Sequence, residues 1–227
     1  WVIPPKQSAA FVADMERVLV LYAEPYDPAR PVVCLDERPC ALVGEARQPL
    51  PMRPGTALRQ DHEYTRGGLC CLSVAFEPLR GWRKVWVRPK RRRVEWAEIV
   101  CELAEEVYPE AEHIRIVCDQ LRRWYIACTH TPAPFYERYA PERARRLAER
   151  VEFVHTPVHG SWLNVVEAEL SVFVRQCLGH RRLGRIETLR EEAEAWAQAR
   201  NEAGATVDWH MTTDDARHKL RRLYPSL

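Results

Sequence analysis

Asp36 follows the apolar run Val32, Val33, Cys34, Leu35, and Asp119 follows the run from Ile114 to Cys118. Both runs are short and rich in β-branched residues, as fully buried strands are, and each is expected to end at its acid. In α/β layer architectures functional groups collect where strand ends meet loops. If the two strands are neighbours, their carboxylates converge and repel unless a cation bridges them. Hard carboxylate oxygens select Mg²⁺ or Mn²⁺ over zinc. For either acid alone the competing role is a turn or a helix cap. A third carboxylate would complete a two-metal site, and the helix expected from about Ser161 to Cys177 offers Glu167 and Glu169. At about 100° per residue its apolar stripe is Leu163, Val166, Leu170, Phe173, Val174 and Cys177, and the two glutamates flank that stripe on opposite sides. Periodicity does not choose between them.

The elements that must position these acids alternate between strand and helix. Phe11, Val12, Met15, Val18, Leu19 and Tyr22 give residues 8–24 the spacing of an amphipathic helix. Residues 47–55 are Pro-rich loop, 69–76 read as a second buried strand, and 82–87 as its hairpin partner after a turn at 78–81. From Val94 to Tyr108 the apolar set Trp96, Ile99, Val100, Leu103 and Val107 opposes five glutamates, so one side is expected to face a core and the other water. Helices are expected near 132–139 and 141–150, then a last strand at 151–155. The C-terminal part reads as helical: one helix over 187–203, and another capped by Thr212 or Thr213, with Asp214 and Asp215 in its first turn and Arg221 and Arg222 in its last. Residues 1–30 read as a linker and entry helix, 31–180 as the core, and 181–227 as a helical extension of the same domain.

The 227 residues are 46% hydrophobic and 29% charged, ordinary for a globular protein, and no apolar run is long enough to span a bilayer. With 34 basic against 32 acidic residues the net charge is +2, so attraction to a polyanion must come from local patches. The chain starts at Trp1 without a signal-peptide pattern and reads as a fragment missing its natural N-terminus. Eight cysteines fall mostly within apolar runs and form no CxxC pair, which indicates buried reduced thiols and a reducing cytosol.

Residues 80–93 hold eight basic side chains and no acid, Lys90, Arg91, Arg92 and Arg93 among them. They either protect a solvated hairpin edge or contact phosphates without reading sequence. Trp82 and Trp86 alternate with these cations, where core packing is favoured over stacking on an unpaired base. Arg175, His180, Arg181, Arg182 and Arg185 form a second basic group just past the helix with the glutamates. His155 and His159 at i, i+4 lie on a strand-to-loop segment that would not turn them to one face, which disfavours zinc.

VCLDE (33–37), VCDQL (117–121) and TPVHGSWLNVVEAELSVF (156–173) resemble the catalytic blocks of the IS630 family of transposases, within the IS630/Tc1/mariner superfamily. WVIPP, FEPLRGWR (76–83), VEAELSVFVRQCL (166–178) and TVDWHMTTDDARHKLRRLYP (206–225) agree, so the resemblance covers nearly the whole chain. It implies an α/β ribonuclease H-like fold with a mixed central sheet flanked by helices, and a catalytic triad of Asp36, Asp119 and Glu167. Glu167 takes precedence over Glu169 because it matches the acid of the LNxxE element. The implied chemistry is phosphoryl transfer at transposon ends, with insertion at TA dinucleotides and two Mg²⁺ or Mn²⁺ ions. Asp36 would bridge both ions, and Asp119 and Glu167 would hold one each. The resemblance further implies DNA as partner, a homodimer on DNA, a prokaryotic cytosolic, nucleoid-associated location, and a role near DNA for the loop of His159, with Ser161 as helix cap and Trp162 as packing.

The sequence departs from the family pattern in two places. The family follows its second Asp with Asn and soon with Thr-His, as in DNLNTH; here Gln120 replaces the Asn and about six extra residues precede Thr129 and His130. The added length is either a tolerated loop or a displacement of His130 from the site. The family's N-terminal helix-turn-helix domains, which read the element ends, are not expected within these 227 residues. A catalytically inactive remnant or domesticated DNA-binding protein on the same fold is the competing function; an RNA–DNA hybrid hydrolase is disfavoured by HGSWLN and RLYP.

Overall fold

The computed structural model describes residues 6–119, 129–179 and 181–225. Among them five strands form a mixed sheet in the order β3-β2-β1-β4-β5: β1 (Val32–Glu45), β2 (Tyr64–Glu77), β3 (Trp82–Arg88), β4 (Ile114–Cys118) and β5 (Val151–His155). β1, β2 and β3 pair antiparallel, whereas β4 joins β1 and β5 in parallel. Side chains alternate across a strand, and the alternation here sorts two apolar layers. Val33, Leu35, Ile114 and Ile116 pack under α2 (Arg93–Glu102), α3 (Ala133–Arg138) and α4 (Pro141–Arg150). Cys34, Val74 and Val117 pack under α1 (Ala9–Ala23), α5 (Val166–Phe173) and α7 (Thr213–Lys219), and further along that face Leu72 and Val87 pack under α6 (Ile186–Glu202).

β1 does not end at Asp36. It runs nine residues further as half of a long hairpin with β2, in unbroken register from Cys34↔Phe76 to Leu42↔Gly68 and with a bulge between Leu42 and Val43. Pro39 is tolerated inside it for a definite reason. Asn201 takes both backbone groups of Arg83 on β3, so Arg83 faces away from β2. Strand alternation then directs the even residues of β2 toward β1, and the odd residues of β1 toward the β4 side. β4 pairs with β1 only over Val32–Cys34, so at Pro39 no N–H is needed.

The acidic face of α2 is not simply solvated. Glu98 pairs with Arg88 at 3.0 Å and with Arg138 at 2.8 Å, and Glu102 accepts from Trp86 Nε1 at 2.8 Å and pairs with Lys84. A π-helical turn, Leu103–Val107, continues this helix. Trp86 is buried, and Trp82 packs edge-on against Tyr108, so both tryptophans serve the core. The seven described cysteines are free and all but Cys40 are buried; Cys128 lies outside the described residues. No described helix is long and apolar enough to cross a membrane.

Thr212 caps α7 in a reciprocal box, its hydroxyl accepting from Asp215 N at 3.1 Å and its own N–H donating to Asp215 Oδ2 at 3.1 Å. The basic residues of the last turn are Arg217, His218 and Lys219; Arg221 and Arg222 belong to a separate 3₁₀ turn. Thr212→Ala removes the cap acceptor and is expected to cost about 1 kcal/mol, read by denaturant unfolding.

Candidate active site

The site opens where β1 and β4 part. The two strands are hydrogen-bonded only as far as Cys34 and Val117. Asp36 stands two residues further along β1, and Asp119 directly follows β4. Asp36 shares its sheet face with Cys34 and Val117, the face covered by α1 and α5. Its carboxyl is pushed up to about 7, first by burial and then by the charges of Asp119 and Glu167, against one stabilising hydrogen bond from Glu37 N at 2.7 Å. Two acids far along the chain, Asp119 and Glu167, therefore act electrostatically on Asp36. Burial also pushes the neighbouring Cys34 thiol up to about 12, so it stays neutral beside them.

The helix that carries Glu167 is shorter than its periodicity predicts. Ser161–Leu163 form a 3₁₀ turn, Asn164 is extended (φ −81°, ψ 101°), and α5 begins at Val166 without a side-chain cap, so Ser161 is not its cap. The break has a use. Leu35 lies just beyond the last β1–β4 pair, and its carbonyl accepts from buried Asn164 Nδ2 at 3.1 Å. One side chain thereby ties the start of α5 to the residue before Asp36. Tyr22 of α1 braces the same break, its hydroxyl donating to the Leu163 carbonyl at 2.9 Å and contacting Cys34 Sγ at 3.2 Å. Asn164→Ala leaves the Leu35 carbonyl without this donor and is expected to cost about 1–3 kcal/mol of stability, measured by denaturant unfolding.

The two glutamates separate cleanly. Glu169 is 2% exposed and lies in a buried ion cluster, 3.1 Å from Arg83 Nε and 2.8 Å from Arg200. Glu167 is half-buried and contributes to the charge felt by Asp36.

His130 lies at the site despite the added sequence before it. Its Nδ1 is 2.8 Å from the Asp119 carbonyl and 3.2 Å from Asp119 Oδ1. The ring stacks on Trp96 at 5.4 Å, and Nε2 is 3.7 Å from Glu37 Oε2. Hydrogen-bond geometry gives the Nδ1 proton to the carbonyl, which leaves Asp119 Oδ1 buried without a hydrogen bond among the described residues. Burial disfavours the imidazolium, but Asp119, Cys118 and Glu37 beside the ring outweigh it and push it up to about 12. His155 Nε2 in turn donates to the His130 carbonyl at 2.8 Å, so His155 fixes a loop rather than holding a metal. Gln120 lies outside the described residues.

Most of the candidate phosphate-binding cations are engaged with acids. Arg91 pairs with Glu37 at 2.6 Å, which lays this basic run against the strand that bears Asp36. Arg92 pairs with Glu95 through Nε at 2.8 Å, and Arg93 with Glu137 at 2.8 Å. Arg181 pairs with Glu192 at 2.8 Å, and Arg182 with Glu45 at 2.9 Å. Among the described residues Lys90 and Arg175 are exposed and make no salt bridge. His159 is exposed and is the described non-glycine residue with a left-handed backbone (φ 67°). His180 lies outside the described residues.

The donor set fits a hard divalent cation in charge and chemistry: oxygen ligands, repulsion felt at Asp36, and an Asp119 Oδ1 without a hydrogen bond among the described residues. Among the described residues, however, no three His, Cys, Asp or Glu side chains are gathered closely enough to hold a metal ion.

A β3-β2-β1-β4-β5 mixed sheet with an acid inside its first strand and another at the end of the adjoining parallel strand is the ribonuclease H-like arrangement. The family described as DDE superfamily endonuclease matches residues 31–190, and the chain belongs to it. The fold is similar to solved Mos1 structures. One is the Mos1 transposase paired-end complex with left transposon end, with TM-score 0.56, 14% identity, and coverage of 90% of this chain and 60% of that one. A second is the Mos1 mariner paired end complex with Mn, with TM-score 0.51, 11% identity, and coverage of 98% and 62%. A third is a pre-cleavage Mos1 transpososome, with TM-score 0.50, 14% identity, and coverage of 98% and 63%. The chain thus spans about 60% of the length of those proteins. No curated protein matches it.

Nothing in periodicity marks Asn164 or Tyr22 as site-forming. Tyr22 reads as one more stripe position, and Asn164 sits inside the segment expected to be continuous helix. A helix-breaking amide next to an apolar residue was the available signal.

Proposed function

We propose that this chain is the catalytic domain of a transposase, cutting DNA at transposon ends and transferring the strand into TA targets. What supports the reading is the place of Asp36 and Asp119 just beyond the last β1–β4 pair, with the Asp36 carboxyl raised to about 7 by burial first and then by the charges of Asp119 and Glu167. Asp36, Asp119 and Glu167 would hold two divalent cations, Mg²⁺ or Mn²⁺. Ions in such a site activate the attacking oxygen and neutralise the leaving one. The chain's own residues set the frame. Asn164 fixes the helix of Glu167 against the strand of Asp36, and His130 holds the backbone of Asp119. Lys90, Arg91, Arg92, Arg93, His159, Arg175, Arg181 and Arg182 are the proposed contacts to DNA, chiefly to phosphates, with exposed Lys90 and Arg175 the readiest. Cutting two ends calls for a paired complex, so a homodimer on DNA is proposed; sedimentation of a monomeric end complex would contradict it.

The test is nicking of supercoiled plasmid in Mn²⁺, run beside Mn²⁺ titration calorimetry on the parent, Asp36→Ala and Glu167→Ala proteins. Saturable binding and nicking that are lost in both variants support the proposal. Equal nicking by parent and variants overturns it. The second reading, a catalytically inactive relative on the same fold, is favoured by the absence of a gathered three-ligand cluster among the described residues; a folded parent that neither binds Mn²⁺ nor nicks DNA would establish it.

A further inference from the structure

The β1–β2 hairpin carries a second reactive feature, outside the carboxylate site and independent of it. Cys40 and Cys70 are direct partners across the ladder, within the stretch of unbroken register. The outward-facing backbone of Arg83 places Cys70 among the β2 residues that turn their N–H and C=O groups to β1, so this is a hydrogen-bonded pair. In such pairs the Cα atoms stand about 5.5 Å apart, inside the usual disulfide span. Directly opposed residues also project from the same sheet face. Cys70 Sγ is 3.6 Å from the Cys40 carbonyl, so its thiol already leans toward its partner. The pair differs in access: Cys70 is 4% exposed, whereas Cys40 is half-buried.

We propose that Cys40 and Cys70 form an oxidation site for peroxides, closing a disulfide that staples β1 to β2 four residues from Asp36. The Cys40 thiolate attacks one peroxide oxygen; an S–O bond forms, the O–O bond breaks, and hydroxide leaves with a sulfenic acid on Cys40. Cys70 then attacks that sulfur, the S–O bond breaks, and water leaves as the disulfide closes. Two thiols are oxidised and one peroxide is reduced to two waters. Access favours this order, because Cys40 is the less buried of the two, and the proximity of Cys70 pulls the Cys40 thiol down to about 7 while Cys70 is raised. The other thiols near the site are less disposed to react. Burial raises Cys71 and Cys177 to about 11, and Cys177 packs in the same apolar layer as Cys70 without being its ladder partner.

The test is to expose the reduced, folded 227-residue chain to hydrogen peroxide, block the remaining thiols, and map cross-linked peptides by mass spectrometry without reduction. The expected product is a Cys40–Cys70 disulfide as the dominant cross-link, reversed by dithiothreitol and still formed by Cys177→Ser. Cys70→Ser is expected to leave a sulfenic acid on Cys40 that dimedone traps. A dominant Cys40–Cys177 or other cross-link, or peroxide consumption with Cys40 and Cys70 both still free, overturns the proposal.

Discussion

Asp36→Asn is expected to lower metal-dependent DNA nicking by about 10³-fold or more while making the metal-free protein more stable at pH 8. The loss follows from the position of Asp36, the acid that both Asp119 and Glu167 act upon. An amide keeps the size of the carboxylate and its acceptor for Glu37 N–H, but it removes the charge that holds a divalent ion. The gain in stability follows from the same charge. The folded carboxyl titrates near 7, above the ordinary unfolded value of about 3.9. Above about pH 4 the unfolded chain releases this proton while the folded chain retains it, so stability falls as pH rises toward 7 and levels off above it. Removing the buried charge, and with it the repulsion from Asp119 and Glu167, is expected to contribute about 1–3 kcal/mol at pH 8, less than the full shift implies because the carboxyl keeps some solvent contact. Thermal unfolding in EDTA at pH 4 and pH 8 checks this. The variant should match the parent at pH 4 and exceed it at pH 8, and Mg²⁺ should narrow the difference by stabilising the parent alone. A variant no more stable than the parent at pH 8 would show that neither burial nor the neighbouring carboxylates penalise the ionised Asp36.

The second large effect separates two glutamates that lie two residues apart. Glu169→Ala leaves Arg83, whose side chain is fully buried, and Arg200 without their shared carboxylate. Burial already pulls the Arg83 guanidinium down despite Glu169 beside it. Removing one member of a buried ion cluster costs about 3–5 kcal/mol, because the remaining charge stays out of water. In a chain of this size that is a fall in melting temperature of about 10 °C or more. Glu167→Gln, at a half-buried position with no ion pair among the described residues, is expected to change stability by less than about 1 kcal/mol and to reduce nicking as severely as Asp36→Asn. The pair of variants is the measurement: unfolding midpoints for both, and nicking for both at a temperature where each is folded. If Glu169→Ala abolished nicking without loss of stability while Glu167→Gln nicked normally, the assignment of the third acid would be reversed.

Much of this protein is legible in its sequence because the determining interactions are local or periodic. The β-branched runs at 32–35, 114–118 and 151–155 form strands since no helical stripe competes with them, and the i, i+3, i+4 stripe of residues 8–24 buries as a helix face. Thr212 and its capping box involve residues three apart. Asp36 and Asp119 stand out because an acid abruptly ends each apolar run. What the tertiary structure decided are the contacts between residues far apart in the chain. The full length of β1 depends on β2, which supplies the hydrogen bonds that carry it past Asp36 and Pro39. The burial of Glu169, unlike Glu167, depends on Arg83 and Arg200, which pair with it from another strand and another helix. The break at Asn164 depends on a carbonyl of β1 that lacks a strand partner, 129 residues away. Local propensity has no term for such a partner: periodicity sets which side of a helix is apolar, but a buried charge or an orphaned carbonyl is satisfied only once the chain has brought its counterpart within about 3 Å.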